Sequence, residues 1–139
     1  MRVYFDSSAL IKRSVQEPES EAVEAAFDRY VADDAVIISS SLAWIEVSRA
    51  LRTRLDGSSY GEEEIHDAIE GALAGVAERL VTGDVIGLAR RVAPLLLRTL
   101  DAIHLATAIV LDVDEVVACD DRLIGACRSN GLITVVPGR

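Results

Sequence analysis

Three short β-favouring runs in this chain pass straight from apolar residues into a carboxylate or a serine cluster and then into helix-compatible sequence. Val3, Tyr4 and Phe5 lead to Asp6, Ser7 and Ser8; Val36, Ile37 and Ile38 lead to Ser39, Ser40 and Ser41; Val116, Val117, Ala118 and Cys119 lead to Asp120. A continuous apolar run marks a strand covered on both faces, and a strand that turns directly into a capped helix opens an α/β unit. Residues 132–136 supply a fourth strand after the turn at Asn130 and Gly131. The expected fold is α/β: a three-layer domain with a central, mainly parallel sheet of four to five strands flanked by helices. Of the 139 residues 50% are apolar, enough for one core and too little for two, so residues 1–139 are expected to form a single domain.

Between the strands, apolar residues recur at three- and four-residue intervals. This periodicity predicts helices at residues 9–12, from Pro18 to about Val31, from the serine cluster to about Leu55, and from about Gly61 to Leu80. Further helices are expected from Ile86 to Ala93 before Pro94, from Thr99 as N-cap to about Leu111, and from Arg122 to Arg128. Ser7 and Ser8 read as caps of the first helix, and residues 56–59 read as the clearest loop. Gly71 and Gly75 weaken the helix they interrupt and are read as points of close helix packing.

The acids fall where ordinary surface acids seldom do. Asp6 closes the first strand and Asp120 the third; strands of a parallel sheet end at one edge, so the two should converge there. Asp101 lies in the first turn of its helix, where free amides and the backbone dipole favour a carboxylate. Glu46 stands between Trp44, Ile45 and Val47, on the apolar side of its helix. Ionised carboxylates held close together repel one another, and a hard divalent cation is the usual remedy. Magnesium prefers oxygen ligands and pairs with phosphates, so such a cluster points to phosphodiester chemistry. The 23 Asp and Glu against 14 Lys and Arg, a net charge of −9, disfavour a protein that coats nucleic acid through a broad basic field, but not a nuclease with a metal site. Cys119 and Cys127 alone make neither a disulfide framework nor a structural zinc site. No apolar run approaches the roughly 18 to 20 residues of a membrane span, and the amino-terminal run is too short for a signal peptide, so a soluble, cytoplasmic protein is expected.

Four blocks carry a family resemblance: residues 6–11 (DSSALI), 41–47 (SLAWIEV), 100–108 (LDAIHLATA) and 119–123 (CDDRL). In order, spacing and total length the chain resembles the PIN-domain ribonucleases, specifically the VapC-type toxins of type II toxin–antitoxin systems, over essentially its whole length. The resemblance implies a ribonuclease that cleaves RNA phosphodiester bonds by metal-activated water. Its cofactor would be magnesium, or manganese in its place, held by Asp6, Glu46, Asp101 and Asp120, with Asp6 and Asp101 the foremost ligands. Ser7 and Asp121 are expected as auxiliary residues, and Arg13, Arg49, Arg52 and Arg54 as the lining of an RNA path. One departure is Ala118, where the family commonly has Thr or Ser two places before the last acid. The implied partners are a cognate VapB-type antitoxin, an RNA of the tRNA or rRNA class and a second copy of the chain, in a homodimer that forms a heterotetramer or larger with the antitoxin.

Plainer roles compete at some positions. His104 on its apolar helix is read as a packed or hydrogen-bonding residue rather than a ligand, Trp44 and Cys127 as core, and Arg49 as a candidate partner for Glu46. The alternative function is a catalytically weak PIN-like RNA- or protein-binding module. A phosphatase of the haloacid dehalogenase kind would need an acid where Ser8 stands, and a flap-type nuclease needs insertions that 139 residues do not hold.

Overall fold

The computed structural model describes residues 1–56 and 59–139; Gly57 and Ser58, in the middle of the expected 56–59 loop, lie outside the described residues. The chain runs β1 (Arg2–Phe5), α1 (Ser7–Ile11), α2 (Ser20–Ala32), β2 (Val36–Ser40), α3 (Ser41–Leu55), α4 (Glu62–Leu73) and β3 (Ala77–Arg79). It continues through α5 (Gly83–Ala89), α6 (Thr99–Val110), β4 (Glu115–Val117), α7 (Asp121–Ser129) and β5 (Thr134–Val135). The five strands form one sheet in the order β3-β2-β1-β4-β5, and every pairing is parallel.

The three-layer α/β expectation holds, and alternation along β1 shows why. Val3 and Phe5 point into a core made with α1 to α4, where Phe27, Val47 and Leu51 are buried. Tyr4 points the other way, into a core of α6 and α7 with Leu105, Ala108 and Leu123. Successive side chains of a strand face opposite sides, so a central strand under two layers must be apolar throughout.

The order of the strands positions the site. From β1 the chain leaves toward β2, whereas β4 leads to β5 on the opposite side. The loops after these two adjacent strands therefore diverge and open a crevice at their carboxyl ends, the usual place for a ligand in such sheets. Two hydrogen bonds hold its base: Asp6 N–H donates to the Val117 carbonyl at 3.1 Å, and Cys119 N–H donates to Ser8 Oγ at 2.9 Å.

Several local expectations need correction. The helix expected to run to Leu80 stops at Leu73, because Gly75 adopts φ +79° and turns the chain into β3. A Cβ at Gly75 would also meet the ring of Phe27 on α2 at 3.2 Å, so this glycine both ends its helix and permits the close approach to a neighbouring one. Thr99 is the first residue of α6, and the cap position is Arg98, whose side chain makes no capping bond. The helix expected from Ile86 to Ala93 begins at Gly83 and ends at Ala89, with Thr82 as its cap.

Candidate active site

Asp6 follows β1 and is itself the N-cap of α1: its carboxylate accepts from Ala9 N–H at 3.2 Å and from Ser8 Oγ at 2.8 and 2.9 Å. The two serines expected to cap that helix are used otherwise. Ser8 ties Asp6 to the end of β4, and Ser7 donates to Glu46 Oε1 at 3.0 Å. Asp6 is 3% exposed. Burial pushes its pKa up to about 6, against the pull of His104 and its hydrogen bonds to Ser8 and Ala9, and Glu46 adds a further upward push.

Glu46 lies in the second turn of α3 and is half-buried. Its partner is not Arg49. Oε1 accepts from His104 Nε2 at 2.5 Å as well as from Ser7, and among the described residues nothing bonds to Oε2. His104, expected as a hydrogen-bonding residue, is 2% exposed and also meets the Tyr4 hydroxyl through Nδ1 at 2.6 Å. Burial works against its charged form, but the Glu46 hydrogen bond and the charges of Asp6, Glu46 and Asp101 outweigh it and raise its pKa.

Asp101 is half-buried in the first turn of α6, and among the described residues its carboxylate has no hydrogen-bond or ion-pair partner. Burial and then the Asp120 charge raise its pKa, with Glu46 adding to the effect and His104 and Arg122 opposing it. Asp120 caps α7, its Oδ1 accepting from the amides of Arg122 at 2.8 Å and Leu123 at 3.4 Å. Asp6, Glu46, Asp101 and Asp120 thus form one chain of electrostatic neighbours at the carboxyl edge of the sheet, around His104.

Other expected site residues stand elsewhere. Asp121 is exposed and pairs with Arg139 at 2.5 Å, away from the group. Arg13 does not line an RNA path. Its guanidinium lies 3.7 Å over the Phe27 ring, donates to the Ala72 and Ala74 carbonyls at 3.0 and 2.8 Å, and pairs with Glu24, so it closes the end of α4. Arg52 pairs with Glu62 at 2.7 Å. Of the four arginines expected to line an RNA path, Arg49 and Arg54 border the groove beside the acids, with Ser7, Ser8 and Glu46. Sequence reasoning missed Lys12 there, which with Arg54 is bound to Glu17. Trp44 packs against the core of α1 to α4, and Cys127 is fully buried with its thiol pKa pushed up to about 12 by burial.

Among the described residues, no three His, Cys, Asp or Glu side chains are gathered tightly enough to hold an ion as they stand. The donor set nevertheless fits a hard divalent cation. It is made of oxygens, Asp101 is uncommitted, Glu46 keeps Oε2 open, and the charge of Glu46 pushes up the pKa of Asp6 and, with that of Asp120, the pKa of Asp101. Charge that neighbouring carboxylates cannot neutralise among themselves is what such an ion would relieve.

Among known protein families, the PIN domain matches residues 3–128. The chain belongs to the PIN-domain family. Its relatives are of the VapC type. Ribonuclease VapC46 of Mycobacterium tuberculosis (strain ATCC 25618 / H37Rv) is 42% identical over 137 residues, covering 97% of each chain. Ribonuclease VapC47 of the same species (strain CDC 1551 / Oshkosh) is 33% identical over 98% of this chain and 97% of the relative. Among solved structures, VapBC2 from Rickettsia felis, described as bound to a DNA fragment from its promoter, superposes with a TM-score of 0.76 over 99% of both chains at 13% identity. M. tuberculosis VapC20, described as a sarcin–ricin loop cleaving toxin, superposes at 0.70 with 18% identity, over 97% of this chain and 99% of that one. These two likenesses establish the PIN fold. No helix among the described residues is long and apolar enough to cross a membrane.

Proposed function

We propose that this chain is a VapC-type toxin, a divalent-metal-dependent ribonuclease that cleaves RNA phosphodiester bonds and is neutralised by a cognate VapB-type antitoxin. The observation that carries the reading is the group of four acids at the β1–β4 crevice, in which Asp101 is half-buried with no protein partner among the described residues. Asp6 and Asp101 would be the principal ligands of magnesium, or of manganese in its place, with Glu46 and Asp120 completing the shell or orienting water. Such an ion, when bound, supplies charge stabilisation on phosphate oxygens and activates water for in-line displacement. Ser8 and the amide of Ala9 hold Asp6 in one orientation, and Ser7 with His104 does the same for Glu46. A chain of net charge −9 suits a basic antitoxin segment. The expected assembly is a homodimer that joins its antitoxin as a heterotetramer or larger, acting on RNA of the tRNA or rRNA class.

The purified chain should cut RNA in magnesium, stop on addition of EDTA, and lose nearly all cleavage in Asp6→Asn and Asp101→Asn. If Asp101→Asn, shown by its melt to be folded, cuts RNA as fast as the parent, the metal-site reading fails. If the parent cuts no RNA in either metal, the ribonuclease reading fails and a binding module takes its place.

A further inference from the structure

A buried imidazole with both nitrogens engaged is an unusual occupant of an apolar helix face, where a leucine would fill the space without a desolvation cost. His104 lies one turn after Asp101 on α6, and its two partners come from β1 and α3. An ionised carboxylate can only accept, so the proton shared with Glu46 Oε1 belongs to Nε2. In the neutral ring Nδ1 is then bare and accepts from the Tyr4 hydroxyl, and in the charged ring Nδ1–H donates to that same oxygen, so in either state Tyr4 anchors the ring and Nε2–H points to Glu46. Tyr4 is well suited to this. It is fully buried in the central strand, in register with Ile38 on one side and Val116 on the other. Its ring meets the imidazole edge-on, with centroids 5.8 Å apart and planes at 70°. Glu46 Oε1 thus receives two donors, Ser7 and His104, while Oε2 receives none among the described residues.

We propose that Tyr4 and His104 form a buried positioning pair that holds Glu46 by Oε1, so that Oε2 is presented to the metal ion or to the water recruited there. The proposal rests on the metal-dependent reading of the four acids. His104 is a positioning residue, because both of its nitrogens are already used. A glutamate has three rotatable bonds, and fixing one oxygen beforehand removes the ordering cost that ligand binding would otherwise carry.

Three variants test it. His104→Gln keeps an N–H that can reach Glu46, His104→Leu fills the space without one, and Tyr4→Phe removes a single hydroxyl. For each, the measurements are the melting temperature, manganese affinity by calorimetry without RNA, kcat and KM for RNA cleavage, and the imidazole nitrogen signals by NMR. His104→Leu should bind manganese about 10- to 100-fold more weakly, with kcat reduced to match and KM for RNA unchanged. His104→Gln should recover most of that loss, and Tyr4→Phe should fall between, with the Nδ1 signal of His104 shifted by the loss of its partner. Equal manganese affinity in parent, Gln and Leu variants overturns the proposal. So does a loss that follows melting temperature alone, which would make the pair structural. A parent that binds no manganese overturns it as well. Should both His104 variants fail to fold, Tyr4→Phe decides, and unchanged metal affinity in it overturns the proposal. If the parent binds manganese in the expected order of variants yet cuts no RNA, the pair stands and the ribonuclease reading falls.

Discussion

Glu17 shows how a single side chain can set the field of the groove. Its carboxylate joins Lys12 at 2.5 Å and also binds Arg54, so two of the cations bordering the groove are neutralised. The hydrogen bonds from Lys12 and Arg54 hold its pKa below the ordinary glutamate value of 4.5. A carboxylate with a lowered folded-state pKa stabilises the fold above its unfolded value, and that contribution fades as pH falls through the folded one. Glu17→Gln should therefore melt below the parent near neutral pH, with the gap closing as the pH is taken below 4.5; melts of both proteins across that range would show it. A gap independent of pH would mean that the ion pair is not its source.

At the scale of elements, each apolar strand announced itself, and β3 did not. Two of its three residues are Glu78 and Arg79, which suit a helix as well as a strand. What makes them a strand is pairing with β2, Ile38 opposite Ala77 and Ser39 opposite Glu78, a contact across nearly forty residues of chain. The local sign was Gly75. Gly75→Ala should cost about 1–2 kcal/mol, through a left-handed conformation that a side chain disfavours, with added crowding against Phe27. Because Gly75 precedes β3, it lies toward the sheet edge opposite the acids, and cleavage per folded molecule should be unchanged; a denaturant melt and an activity assay separate the two. Asp6, Asp101 and Asp120 were legible because they sit at element ends, where sequence shows a carboxylate beside a cap, and Glu46 because it stands among apolar neighbours inside its helix. The Tyr4–His104–Glu46 contacts were not, since their partners stand 100 and 58 residues apart. Asp120 caps α7 with Oδ1, and among the described residues nothing bonds to Oδ2. Asparagine caps about as well as aspartate, so Asp120→Asn should change stability by less than about 1 kcal/mol. It should still weaken manganese binding, as calorimetry would detect, and unchanged manganese affinity would mean that the residue serves only as a cap.

For the whole molecule, the charge of −9 acquires a structure. Part of it is gathered at the crevice, and the cations bordering the groove reduce to Arg49 once Glu17 has taken Lys12 and Arg54. Non-specific affinity for unstructured RNA should be weak, with a salt slope of no more than about three released counterions; anisotropy titrations across salt concentrations would measure it, and a steeper slope would reveal a basic surface assembled in solution. The double duty of Asp6 bears on how an inert copy of the molecule is made. Truncating Asp6 removes the cap of α1 and the acceptor of Ser8 along with the charge, so silence in such a variant has two causes. Asp101 holds no other part of the described protein in place, and at that position a charge can be erased while the shape that an antitoxin or an uncut RNA would grip is left standing.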